Sequence, residues 1–89
     1  EDIIYIEAQD DYVCINTAKK SSLKNDTLAN MEKRLDPQKF YRIHRSYILN
    51  IDYLNKIESY TKDSRIAILK NGKTLPVSRS GYSRLTKLL

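Results

Sequence analysis

Arg45, in His44-Arg45-Ser46, and Arg79, in Ser78-Arg79-Ser80, sit beside serines. A guanidinium is a planar fork that can make two parallel hydrogen bonds to guanine, whereas lysine binds phosphate as a point charge. Each arginine falls near the end of an element, where a protruding loop is expected. His44 can donate at one ring nitrogen and accept at the other, so it could touch a base or a phosphate. A hydrogen-bonded structural histidine accounts for it equally well. Arg45 lies in Phe40-Tyr41-Arg42-Ile43-His44-Arg45-Ser46-Tyr47-Ile48-Leu49-Asn50. Phe40, Ile43, Ile48 and Leu49 can anchor this run to a core. Arg42, His44 and Arg45 cannot all be buried cheaply, so some of its cations should face outward. An ordinary strand with solvated arginines is the competing reading.

Catalytic chemistry has few candidates. The chain has one His and one Cys, too few for a zinc site of the usual four ligands. It has no Gly-rich phosphate loop. Ser46, Ser78 and Ser80 have no evident triad, and the adjacent Asp10 and Asp11 should point apart in a turn. Cys14, in Tyr-Val-Cys-Ile, reads as a small core residue. No enzyme activity, cofactor, metal or small-molecule substrate is therefore expected. Seven tyrosines are many, but they do not form a spaced platform for stacking single-stranded bases.

The charge is uneven. Five of the 11 acids fall in residues 1–16, which hold no Lys or Arg. Residues 17–89 therefore carry 16 bases against six acids, a balance of +10. Such asymmetry points to a polyanion on one side of the molecule. An anionic membrane surface is the rival, but no Lys-rich amphipathic helix with aromatic anchors is present, and no run is long enough to span a bilayer. The chain starts at Glu1 rather than Met, so it is expected to be one domain, residues 1–89, of a longer protein. The absence of a disulfide framework fits a reducing compartment, the cytoplasm.

The elements that must position these residues follow from pattern. Ile3-Ile4-Tyr5-Ile6 and Tyr12-Val13-Cys14-Ile15-Asn16-Thr17 read as strands joined by the polar turn Gln9-Asp10-Asp11. Ser22-Leu23-Lys24 is a short third. Asp26-Thr27 opens a helix whose face is Leu28, Met31 and Leu35, and Asp36-Pro37 ends it. Lys33 and Arg34 suit the helix C-terminus. Ile51-Asp52-Tyr53-Leu54 with Lys56-Ile57-Glu58-Ser59-Tyr60, then Arg65-Ile66-Ala67-Ile68-Leu69 and Thr74-Leu75-Pro76-Val77, read as further strands. Asn71-Gly72 is a hairpin signal in which both residues accept positive φ. Pro76 confines its strand to an edge. Ser78 caps a last helix with Tyr82, Leu85 and Leu89 on one face. Gly81 inside it costs about 1 kcal/mol against Ala. About six strands and two short helices, without strand-helix alternation, predict a mainly β, antiparallel domain.

These residues resemble the LytTR family, DNA-binding output domains of one class of bacterial response regulators. The resemblance runs from Ile3-Ile4-Tyr5-Ile6-Glu7-Ala8 with Asp11-Tyr12-Val13, through Thr27-Leu28 with Leu35 and Phe40–Asn50, to Leu75-Pro76-Val77-Ser78-Arg79. It implies an elongated fold of antiparallel β-sheets whose loops enter successive major grooves of double-stranded DNA. The base-contacting positions it implies are Asp11 and Tyr12 in a first loop, His44 and Arg45 in a second, and Arg79 in a third. Ser46 and Asn50 match family positions too, though a local backbone hydrogen bond explains them as well. Lys62, Arg65 and Arg84 are candidates for phosphate contacts. The resemblance further implies a receiver domain in the parent protein and self-association of that protein on repeated DNA sites. Some relatives carry membrane spans or other sensors instead. The alternative is a non-catalytic protein-protein module that pairs through an edge strand near Thr74–Val77. RNA binding would instead favour single strands.

Overall fold

Among the described residues eight strands form where about six were expected, because the central run folds back on itself. A computed structural model describes residues 2–62 and 64–88. Strands β1 (Ile3–Gln9), β2 (Tyr12–Thr17), β3 (Ser21–Lys24), β4 (Phe40–His44) and β5 (Tyr47–Asn50) make one antiparallel sheet, ordered β3-β2-β1-β5-β4. Strands β6 (Leu54–Ser59), β7 (Arg65–Leu69) and β8 (Thr74–Val77) make a second, ordered β6-β7-β8. Helix α1 (Leu28–Arg34) links β3 to β4, and α2 (Arg79–Thr86) follows β8. The fold is mainly β and antiparallel, with two short helices, as expected. It is elongated, with extents of 35 × 23 × 23 Å.

The middle strands of the larger sheet are covered on both faces. One face sets Ile6, Val13 and Ile48 against Leu28 and Met31 of α1. The other sets Ile4, Tyr5, Ile43 and Leu49 against Ala67, Leu69, Leu75 and Val77 of the smaller sheet, and against Leu85 of α2. That is why β1 and β5 read as unbroken apolar runs rather than alternating ones. Each fully buried Ile or Leu contributes about 1.5–3 kcal/mol.

Side chains shape the element ends. Thr27 accepts from the Asn30 N–H and Ser78 from the Gly81 N–H, so both expected caps form. Leu35 caps the C-terminus of α1 with extended backbone ahead of Asp36-Pro37. Arg34 pairs with Asp26 at the other end of α1, which gives that helix cation a structural partner. β8 is the edge strand that Pro76 requires. Leu89, assigned to the face of α2, lies outside the described residues.

Two local expectations are corrected. Ile51–Tyr53 is a 3-10 turn, not strand. The buried Asn50 causes this: its Oδ1 accepts from the Asp52 N–H at 3.0 Å, and its Nδ2 donates to the Ile3 carbonyl at 2.9 Å. The chain is thereby bent out of one sheet into the other. In the β7–β8 hairpin only Gly72 has positive φ, at 89°. Asn71 instead uses its Oδ1 to accept from the Lys73 N–H at 3.0 Å. This fits a three-residue loop ending in a left-handed glycine, not a two-residue turn.

Candidate nucleic-acid interface

The β1–β2 turn, the β4–β5 turn and the β8–α2 junction lie at one end of the molecule. Glu7 pairs with Tyr47 and Gln9 with Tyr12, so the first two turns leave the large sheet at the same end. Two strand spacings, roughly 10 Å, separate their centres. The Ala8 N–H donates to the Ser46 carbonyl at 2.9 Å, which ties β1, just before the first loop, to the second loop. The Ser78 N–H donates to the Ile43 carbonyl at 2.8 Å, which ties the third loop to the second. The middle loop is thus held from both sides.

A β-bulge makes the second tie possible. Arg42 pairs with Ile48 and His44 with Tyr47, which leaves Ile43 as the extra residue. A bulge re-aims a residue out of the ladder. The Ile43 carbonyl also accepts from Ser78 Oγ at 3.3 Å. Gly81 sits so close to Ile43 that a Cβ added there would be 2.1 Å from the Ile43 oxygen. The glycine in α2 is therefore explained by close approach. It lets the helix seat Arg79, its exposed first residue, beside the middle loop.

The predicted site residues divide by how they are held. Arg45 is exposed at the tip of the middle turn. His44 is half-buried, edge-on to Tyr47 with ring centroids 5.8 Å apart, and its Nδ1 accepts from the Ser46 N–H at 3.1 Å. Burial, then the Arg45 charge, then the Arg42 charge, hold His44 below the usual histidine pKa. A neutral ring that accepts at Nδ1 presents Nε2–H as a donor. Ser46 has both backbone groups engaged, as a structural residue would. Asp11 and Tyr12 are exposed in the first loop, where Asp10 takes a φ of 55°, a conformation Asp tolerates better than most residues. A groove of about 340 Å³ runs between the second and third loops, lined by Glu32, Arg42, His44, Arg45, Ser78, Ser80 and Arg84. A smaller one of about 240 Å³ lies between the first and second loops and the start of α1, and Arg42 and Arg45 line it as well.

The three cations nominated for phosphate are not alike. Lys62 is exposed in the β6–β7 turn. Arg65 stacks its guanidinium 3.9 Å from the centroid of the Tyr82 ring. Arg84 donates to the Arg42 carbonyl at 2.9 Å. Arg65 pairs with Val77, so the β6–β7 turn rises beside the Arg79 loop. What residue reasoning missed is Arg42, which touches the middle turn at two carbonyls. Only its position in a run of mixed apolar and cationic residues hinted at it.

Among the described residues no cluster of His, Cys, Asp or Glu could hold a metal ion, and no helix is long and apolar enough to cross a membrane. The edge offers cations, one neutral imidazole and polar loop tips over shallow grooves. That suits recognition of an extended anionic surface.

Known proteins resemble this chain in sequence and in fold. The chain is 37% identical over 89 residues to the sensory transduction protein LytT of Bacillus subtilis, covering all of this chain and 37% of that protein. It is 33% identical over 88 residues to the CO-responsive transcriptional regulator RcoM of Rhodospirillum rubrum, covering 98% of this chain and 37% of that one. The chain thus spans little more than a third of the length of these curated relatives. A solved LytTr DNA-binding domain from Bacillus cereus superposes with a TM-score of 0.88 at 30% identity, covering 98% of this chain and 80% of that chain. The LytTr DNA-binding domain family matches residues 1–89, and the chain belongs to it.

Proposed function

We propose that this chain reads sequence in duplex DNA as the output part of a bacterial transcription regulator. The observation that carries the reading is the bracing of the middle loop and the end of β4 by neighbouring elements, through Ala8 of β1 to Ser46 and Ser78 to Ile43. Base readout needs side chains held in fixed relation, whereas phosphate binding needs only charge nearby. Arg45 and Arg79 are the base readers, each free to form the bidentate pair with guanine in the major groove. His44 assists as an Nε2–H donor. Asp11 and Tyr12 bring the first loop to the same duplex, where Asp11 can accept from a cytosine amino group. Ser46 serves through its backbone. Lys62, Arg65 and Arg84 neutralise phosphates along the flank.

The long axis of 35 Å is close to one turn of duplex, about 34–36 Å, so the body can lie along one side of the DNA. Self-association on repeated sites belongs to the longer protein in this reading. The relatives' names point to different inputs, a sensory transduction protein in one case and CO response in another. In this reading a phosphorylatable receiver, implied by the family resemblance, is one such input.

The test is a titration of duplex DNA, in matched and scrambled sequence, across a salt series. Arg45→Ala and Arg79→Ala should each cost about 1–3 kcal/mol on the matched duplex and relax preference at one base position. Binding should weaken steeply with salt, because counterions leave the DNA. Equal losses on matched and scrambled duplex would make the two arginines phosphate contacts, and duplex binding that does not weaken with salt would count against the reading.

A further inference from the structure

We infer that Arg42 is the positioning residue of the middle loop: it sets the direction of His44 and Arg45 without touching DNA itself. The inference rests on the DNA-reading proposal and adds how the reading turn keeps its shape.

The turn's own side chains supply a local bond, from the Ser46 N–H to His44 Nδ1, but no residue with an intrinsic turn preference. Arg45-Ser46 contains no Gly, Pro, Asn or Asp, the residues that favour tight turns by their own backbone preference. Arg42 provides the missing constraint from the preceding strand. Its Nε donates to the His44 carbonyl at 3.0 Å and its Nη2 to the Arg45 carbonyl at 2.6 Å. Its Nη1 donates to Glu32 Oε1 of α1 at 3.0 Å. One planar guanidinium therefore bonds two successive turn carbonyls and a carboxylate on another element. Its own carbonyl accepts from Arg84 of α2, which fixes the strand from the opposite side. Only 23% of the Arg42 side chain is exposed, so it stays against the protein while Arg45 faces out. The fork geometry is specific to arginine. Lysine carries the same charge, but its compact ammonium cannot reproduce the three divergent directions.

Arg42→Lys is the informative variant, because it keeps net charge and most of the stem. Amide hydrogen exchange of the free 89-residue chain gives the first readout. The Ser46 amide should exchange at least tenfold faster, while those of Ile6 and Ala67, in the two cores, keep wild-type rates. An unchanged Ser46 amide would overturn the inference, as would a uniform rise at all three sites. The second readout is a double-mutant cycle with Arg45→Ala, on the duplex most enriched from a random pool and on the unselected pool. Arg42→Lys should lose preference at the base position that Arg45→Ala loses, with little change on the pool, and the double variant should be no worse than the weaker binder of the two. Fold losses that multiply would make Arg42 an independent DNA contact and overturn the inference. If wild type itself enriches no sequence, the DNA-reading proposal fails instead, and the Ser46 exchange rate alone decides the positioning role.

Discussion

The two ends of the large sheet each carry a basic turn, and they are built differently. At one end the β2–β3 turn holds Lys19 and Lys20, both exposed. Thr17 organises it locally: its Oγ1 accepts from the Lys19 and Lys20 N–H groups at 3.3 and 3.2 Å. Nothing beyond the neighbouring residues is needed. At the other end the β4–β5 turn is held by Arg42 on its own strand, Glu32 on α1, Ala8 on β1 and the start of α2. Charge alone would rank the two turns together. What separates them is that several elements converge on one, while bonds among residues 16–21 hold the other. A cation on a locally made turn can attract an anion, but a cation braced by several elements can also tell one sequence from another.

The sharpest way to break this comparison is to unseat the braced end. Gly81→Ala would gain about 1 kcal/mol in helix propensity. It would also drive a methyl into the Ile43 carbonyl. Overpacking of this kind costs typically about 1–3 kcal/mol, and a backbone atom cannot yield as a side-chain tip does, so the clash should win. Thermal unfolding should show a net loss, and the base position that Arg79 is proposed to read should blur. A stabilised Gly81→Ala variant with unchanged DNA preference would show that α2 is not seated as described.

A smaller effect is expected from pH. Folding depresses the His44 pKa, mainly through burial and then through Arg45 and Arg42. The unfolded ring titrates near 6.5 and binds its proton first as pH falls. The contribution of the neutral ring is therefore complete above about 6.5 and is lost as pH drops below that value and through the lower folded one. Protonation also removes the Nδ1 acceptor from the Ser46 N–H. His44 is the one histidine in the chain, so a fall in thermal midpoint between pH 6.5 and 5 should largely vanish in His44→Gln. A midpoint equally steep in that variant would assign the titration elsewhere.

The smallest effect should come from the other end. Lys19→Ala with Lys20→Ala should leave the preferred sequence unchanged and lower affinity only slightly, with a shallower salt slope if the turn nears phosphate at all. A changed base preference there would remove the distinction between the two turns.

Much of this was legible in sequence where one side chain acts on its own neighbours. Thr27 and Ser78 mark their helices because a cap needs only residues three positions on. Pro76 marks an edge because it lacks an N–H. The β4–β5 turn was read as part of one run because its partners lie far along the chain: Arg42 reaches Glu32 ten residues back, and Arg84 reaches Arg42 from 42 residues ahead. Gly81 looked like a defect in a helix until the Ile43 carbonyl was seen beside it. Likewise the turn at Asn50 followed from two bonds, of which only the one to Asp52 is local. Arg45 and Arg79 were nominated from their type and surroundings. Their placement on neighbouring loops at one end depends on strand order, which pattern alone does not fix.

The most direct measurement is enrichment of sequences from a random duplex pool by the wild-type chain, Arg45→Ala and Arg79→Ala in parallel. The account predicts one wild-type motif, from which each variant loses a different base position while keeping the rest. No enriched motif, or identical motifs from all three proteins, would contradict it.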